Sequence, residues 1–572
     1  MRSSFTEPAA HAWCTLLRTG AVVLIAWMIL LPIALVAQEK VSIRVDLAAE
    51  LGPWKPVYSF FGYDEPNYTY MKYGRKLLGE LSALSPAPVY IRTHNLLTSG
   101  DGTPALKWGS TNAYTEDAGG RAIYDWKILD RIFDTCRDAG VKPLVEIGFM
   151  PEALSTNPEP YRHTWPQGSI STGWAFPPKD YGKWAELVYQ WVRHAVERYG
   201  APEVESWYWE VWNEPDISYW RGSPEEYQKL YDFTADAVKR ALPRARIGGP
   251  HSTGPASDKA AAFLRAFLEH CTRGRNYASG QTGSPLDYIG FHAKGSPVVV
   301  EGHVRMGMRK QAQDIVRGFE IVASFPELRD KPVIIGESDP EGCAACSART
   351  HPQNAYRNGT MYSSYTAAML HHTLDLAARY GVRLQGAVTW AFEFEDQPWF
   401  DGFRTLATNG VAKPVLNIFR MFGQMGGERV RMQSDGAITL DDLLKARVHE
   451  KADINGLASR GPREASILVW NYHDDDLPAP DAAIHLTVDG IPGVGRVRVL
   501  HYRIDGNHSN AYSIWKEMGS PQNPSAGQYG QLEAAGRLEL LSSPGWLRNE
   551  GGKVGINFTL PRQATSLLQL SW

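Results

Sequence analysis

From about residue 57 to residue 393 the chain repeats one pattern: a short apolar run, a polar tip, then apolar residues at helical spacing. The runs are Tyr58–Gly62, Val89–His94, Lys142–Phe149, Ser206–Glu214, Arg246–His251, Tyr288–Gly295, Lys331–Glu337 and Gly386–Glu393. Each is rich in β-branched or aromatic residues and is bounded by glycine or proline. Eight such strand–helix units in series predict a (β/α)8 barrel, the TIM-barrel architecture. The helices between them have readable ends. Ser223-Pro224-Glu225-Glu226 is a capping box with proline in the first turn. Asp125–Ala139 is amphipathic and stops at Gly140.

After about Gly426 the helical units give way to alternating strands: Glu464–Tyr472, Ala482–Val488, Arg496–Tyr502, Arg537–Leu541, Val554–Leu560 and Ser566–Trp572. Glycine, proline and aspartate fill the gaps, which predicts a β-sandwich module. The expected organisation is a leader over residues 1–37, a barrel over 41–425 and a sandwich over 426–572. Val41–Leu47 alternates as a strand peripheral to the barrel, or one that pairs with the C-terminal module and brings the two ends of the chain together.

Composition narrows the partners. The chain has 572 residues, 43% hydrophobic and 21% charged, ordinary values for a globular protein. A net charge of −3 without a long basic run argues against nucleic acid. The 19 tryptophans and 26 tyrosines suit both core packing and stacking on sugar rings. Ala21–Ala37 is an uncharged apolar run after Arg2 and Arg18, ending in a small-x-small pattern. It predicts an export signal cleaved near Ala37 and a periplasmic or extracellular protein, with no stable membrane partner unless that leader stays in place as an anchor. Cys136 falls on an apolar helical face and is expected as a buried thiol. Cys343 and Cys346 suit a loop disulfide better than half a metal site, because no second Cys/His pair stands at metal-binding spacing. Asn67, Asn358, Asn507 and Asn557 begin glycan acceptor patterns, relevant only in a eukaryotic secretory route.

The candidate chemistry sits on two strand tips. Ser206–Pro215, SWYWEVWNEP, is a strand that ends in Asn213-Glu214-Pro215. Lys331–Gly336 is a second buried run, ending in Glu337. In a closed barrel the C-terminal tips of the strands face one mouth. Two carboxyls across such a mouth are what glycoside hydrolysis needs, one to protonate the leaving oxygen and one to attack the anomeric carbon or to activate water. No metal or organic cofactor is required. Read singly, Glu214 is a loop acid and Glu337 an ion-pair partner; together they favour catalysis.

Trp212-Asn213-Glu214-Pro215 and Gly336-Glu337 resemble the retaining barrel glycosidases that carry their carboxylates on strands four and seven. More closely, the chain from about Phe60 to Phe422 resembles glycoside hydrolase family 39, which holds β-xylosidases and α-L-iduronidases. Pro143–Leu154 is similar to the xylosidases, whereas Ile91–Leu97, His292–Gly295, Glu337–Pro340 and Phe403–Leu406 are more similar to the iduronidases. The resemblance implies Glu214 as acid/base and Glu337 as nucleophile, Asn213 on the sugar 2-hydroxyl, and His94 and His292 on ring hydroxyls. It implies Trp390 as the pocket floor, before a non-proline cis bond, and Glu393 or Asp396 as a further sugar contact. Lys294 and Arg404 match the iduronidase residues that grip a sugar carboxylate; the alternative for Arg404 is a scaffold ion pair. The expected activity is a retaining exo-glycosidase on oligo- or polysaccharide, β-xylosidase-like first and α-L-iduronidase-like second. A non-catalytic carbohydrate-binding barrel is the rival class.

Overall fold

Eight parallel strands close into a barrel in sequence order: Phe60–Tyr63, Tyr90–Thr93, Lys142–Ile147, Tyr208–Val211, Arg246–Ser252, Tyr288–Lys294, Val333–Asp339 and Leu384–Thr389. They are called barrel strands one to eight below. The structure is a computed structural model and describes residues 39–107, 109–163, 170–445, 451–493 and 495–572. The expected leader lies outside the described residues. No helix among the described residues is long and apolar enough to cross a membrane.

Alternation along each strand sorts side chains between two environments. Trp207, Trp209 and Val211 face outward into the main apolar core beneath the helices. Tyr208, with Phe60, Leu144, Tyr288, Ile334 and Val388, plugs the barrel interior. Such a barrel is filled rather than hollow, so chemistry is confined to the strand tips. The helices end as their residues dictate. Ser223 and Glu226 form the reciprocal capping box on Pro224–Ala241, an N-cap worth about 1 kcal/mol. Helix Lys127–Ala139 stops where Gly140 turns left-handed, at φ 77°.

The C-terminal module is a single ten-stranded sheet folded across itself. Its core joins Val554 and Leu560 near one end of the sheet to Val497 and Leu568 near the other. The N-terminal strand Glu39–Pro53 belongs to this sheet, not to the barrel's periphery. It runs antiparallel to Glu428–Ser434 and parallel to Ala482–Asp489. Val41, Ile43, Val45 and Leu47 supply its buried face, so this strand gains an apolar partner surface that the helix-covered barrel has no room to offer.

Helices also persist in the C-terminal module. Ala511–Glu517 and Ala526–Ala535, capped by Asn510 and Ser525, interrupt the strand series. Trp515 and Leu532 from this insert pack on Trp399 and Phe400, in the loop after barrel strand eight. The backbone N–H of Trp399 donates to Gln522 Oε1 at 2.9 Å. The sheet module therefore braces a wall of the barrel mouth. Cys343 and Cys346 form a disulfide, and Cys136 and Cys271 are free and buried. Of the glycan acceptor positions, Asn67 and Asn358 are buried in hydrogen bonds.

Candidate active site

Barrel strands four and seven bring Glu214 and Glu337 to the same mouth. Both are buried, 8% and 4% exposed. Oxygen atoms of the two carboxyls and a ring nitrogen of His292 all lie within 4.8 Å of one another. His292 Nδ1 is 2.9 Å from Glu214 Oε1 and 3.7 Å from Glu337 Oε1. The backbone is bent to achieve this. Trp212, His251 and Glu214 adopt φ of 69°, 49° and 45°. Left-handed conformations in bulky residues cost roughly 1–3 kcal/mol each and persist where the surroundings enforce them. One such restraint is the Glu214 N–H donating to the His251 carbonyl at 3.0 Å.

The two acids are held in different protonation states. Burial pushes Glu214 up to about 7, and the negative charge of Glu337 adds to the rise. Burial also disfavours a charged Glu337, but the charges of Lys294 and Arg92 outweigh it and hold that carboxyl well below the usual carboxylate range. Lys294 Nζ is ion-paired with Glu337 Oε2, and Arg92 donates to Glu337 Oε1 at 3.2 Å. At neutral pH one carboxyl is an ionised base or nucleophile and its neighbour is poised between acid and carboxylate. Desolvation lowers His292 to about 3, so its ring is neutral.

Arg92, from the run Ile91–Leu97, is a functional residue that strand-tip reasoning passes over. It is wholly buried. Its Nε lies 2.9 Å from each oxygen of Glu210, and another of its nitrogens donates to Asn213 Oδ1 at 3.1 Å. One guanidinium thus orients both the Asn213 amide and the Glu337 carboxylate. Glu210 is also bonded by His251 at 2.9 Å, and Arg92 and His251 hold it down to about 2 against its burial. Gly336 makes this possible, because a Cβ there would lie 2.0 Å from His251 Nδ1. An ionised glutamate facing into the barrel, beside an inward arginine two strands away, is the signal that could have revealed the pair.

The remaining residues line or support the pocket. His94 Nδ1 bonds Asp64 at 2.9 Å, and Lys107 is ion-paired with the same Asp64. The Nε2 atoms of His94 and His292 and Oδ1 of Asn95 are buried with no hydrogen-bond partner among the described residues. Buried polar atoms in that state are suited to meet ligand hydroxyls. Trp390 packs tilted against His94, ring centroids 4.3 Å apart, and lies beneath the Arg92 guanidinium at 4.9 Å. Gly62 admits it, since a Cβ there would fall 2.3 Å from its ring.

Two expectations are corrected, for Arg404 and for the cis bond. Arg404 is wholly buried and held by the scaffold, donating to the Trp390 carbonyl at 2.8 Å and pairing with Glu341 at 2.5 Å and Asp339 at 3.6 Å. It is the scaffold ion pair, placed there because two carboxylates follow Glu337 on the same strand and loop. Among the described residues the non-proline cis bond is Gly148–Phe149, at the end of barrel strand three, and not the bond after Trp390. Glu393 turns to accept the Gly410 N–H, where burial raises it to about 8, while Asp396 is exposed.

Glu214, His292 and Glu337 are also close enough to offer ligands to one cation. The charge of Glu337 is already met by Lys294 and Arg92, and Glu214 is raised toward its neutral form. This donor set fits proton transfer better than metal binding.

A family model for glycosyl hydrolases family 39 matches residues 89–540. The chain is 28% identical to a β-xylosidase of Caldicellulosiruptor saccharolyticus, over 72% of this chain and 76% of that protein. It is 25% identical to an α-L-iduronidase of Mus musculus, over 88% and 76%. Its fold is similar to that of a GH39 enzyme from Xanthomonas axonopodis pv. citri, with a TM-score of 0.72 at 22% identity over 95% of this chain and 99% of that one. With the barrel, the paired carboxyls and a match spanning most of its length, this chain belongs to glycosyl hydrolases family 39.

Proposed function

We propose that the protein is a retaining exo-glycosidase that removes a neutral pentose, as a β-xylosidase does, with Glu337 as nucleophile and Glu214 as acid/base. The observation that carries this reading is the pair of carboxyls with oxygens within 4.8 Å and opposite pKa shifts. Separations of about 5–5.5 Å belong to retaining enzymes, because wider ones leave room for a water on the far face of the sugar. Ionised Glu337 attacks the anomeric carbon. Glu214 gives its proton to the departing glycosidic oxygen. The ester that forms on Glu337 removes the negative charge that helped to keep Glu214 protonated, so Glu214 becomes the base that activates water in the second step. Asn213, fixed by Arg92, meets the 2-hydroxyl, and His94 and His292 offer their buried Nε2 atoms to ring hydroxyls.

The choice of a neutral sugar rests on charge accounting. Lys294 answers Glu337, Lys107 answers Asp64, and Arg404 answers Glu341 and Asp339. Each of these three cations already has a protein carboxylate. A uronic acid would bring one more negative charge into a buried site, at a cost of several kcal/mol unless it is paired. The second reading, an α-L-iduronidase-like enzyme, is favoured by Lys294, whose side chain keeps 18% exposure at the mouth. Release of aryl β-xyloside against aryl α-iduronide separates the two. The proposal expects the xyloside to be turned over and the iduronide to be a poor substrate; the reverse order would replace the first reading with the second, and activity on neither would remove both.

A further inference from the structure

The C-terminal sheet carries a feature that the barrel site does not use. Strand Gly545–Asn549 lies against Gly495–Ile504, with Arg498 opposite Trp546 and Arg496 opposite Arg548. Directly opposed residues of an antiparallel pair share a face. Val497 and Leu547, the alternate positions, turn toward the sheet's core. Arg496, Arg498, Trp546 and Arg548 therefore stand together on the solvent face. All four are exposed, and Trp546, at 60%, is the most exposed of the large apolar side chains among the described residues.

Among the described residues none of these three arginines has a carboxylate partner, and none lies over the indole. Elsewhere on the surface Arg121, Arg137, Arg198, Arg240 and Arg273 are paired. By register the nearest carboxylates are Glu550, two residues past Arg548, and Glu464, which is opposite Ser571 and so two strands from Arg498, roughly 10 Å at the usual strand spacing. Three open guanidinium forks around one bare aromatic face form a compact surface whose charge contrasts with the chain's net −3.

We propose that this face is a second carbohydrate-binding site that holds an acidic polysaccharide. The arginines take uronate carboxylates in bidentate fashion, and Trp546 stacks on a sugar ring. Planar carboxylate recognition is what an arginine fork does well. A flat indole without a surrounding apolar patch suits the C–H face of a pyranose better than it suits a membrane. From Arg498 the strand continues to Ile504, about 20 Å at 3.4 Å per residue, before the helical insert that packs on the loop after barrel strand eight. The site therefore tethers the polymer at a distance from the barrel mouth. It stands apart from the question of which sugar the barrel accepts.

Affinity electrophoresis of the full-length protein tests this. Gels containing polygalacturonate, neutral arabinoxylan, heparin or single-stranded DNA are compared, each with wild type, Trp546→Ala and the pair Arg496→Gln/Arg498→Gln. Polygalacturonate is expected to retard the wild type and neutral arabinoxylan is not. Each variant is expected to weaken that retardation about tenfold in affinity, equivalent to ~1.4 kcal/mol. Turnover of a small aryl glycoside is expected to be unchanged in both variants, which scores the fold and the barrel site separately. Absence of retardation by polygalacturonate, or retardation that neither variant alters, overturns the proposal. So does equal retention on DNA or heparin with no effect of Trp546→Ala, which describes a non-selective basic surface, and so does equal retention on neutral arabinoxylan.

Discussion

Arg92 and Glu210 form a wholly buried ion pair deeper in the barrel than the two site carboxyls. The same guanidinium reaches Glu337 at 3.2 Å and Asn213 at 3.1 Å. Lysine cannot make these contacts together, because its ammonium is a single point of charge. Arg92→Lys is expected to lower kcat/KM about 100-fold, the loss of two charge-assisted hydrogen bonds. It is expected to lower unfolding free energy by about 1 kcal/mol, since lysine keeps a positive charge beside Glu210 but makes fewer of the buried hydrogen bonds. Steady-state kinetics with urea unfolding checks both. Arg92→Met with Glu210→Gln should recover stability but not activity; recovery of activity would remove Arg92 from the positioning role.

The opposed carboxyl pKa values set the pH profile. Glu214, the proposed acid, is raised to about 7 and would work while protonated, so kcat/KM is expected to fall as pH rises through about 7. Glu337, the proposed nucleophile, is depressed and would work while ionised, so the acid limb is expected below the ordinary carboxylate range. Glu214→Gln should abolish the alkaline limb for substrates with leaving groups good enough to need no protonation. An alkaline limb that persists in this variant would assign it to another group.

Glu341 controls what Arg404 can do. It pairs with Arg404 and with Arg357, both wholly buried. Glu341→Gln removes that negative charge and leaves Arg404 matched only by the longer contact to Asp339. The ratio of uronide to xyloside turnover is then expected to rise about tenfold, the effect of one partly compensated charge of ~1.4 kcal/mol. Parallel assays on the two aryl glycosides measure it. An unchanged ratio would mean that this pairing has no bearing on substrate choice.

The barrel was legible because each strand announces itself twice, by a β-rich run and by the glycine, proline or helix cap that ends it; Lys142–Ile147 and Tyr288–Lys294 fall within the expected runs. Glu214 and Glu337 were legible because a carboxylate at the end of a buried strand is conspicuous. What escaped were relationships across the barrel. Nothing local to Arg92 says that it lies under Trp390 or reaches Asn213. Arg404 looked available because the sequence does not show that Asp339 and Glu341 fold back onto it. The insert Ala526–Ala535 was missed because it buries little beyond Leu532 and so carries no apolar stripe.

The central claim is that Glu337 becomes covalently bonded to the sugar while Glu214 shuttles the proton. The most direct measurement is mass spectrometry of the peptide containing Glu337 after incubation with an activated 2-deoxy-2-fluoro-xyloside, which slows breakdown of a glycosyl-enzyme. The account predicts one fluorosugar per chain, attached at Glu337 and absent in Glu337→Gln. A label on Glu214, or an unlabelled enzyme that turns over xyloside with inversion at the anomeric carbon, would contradict it.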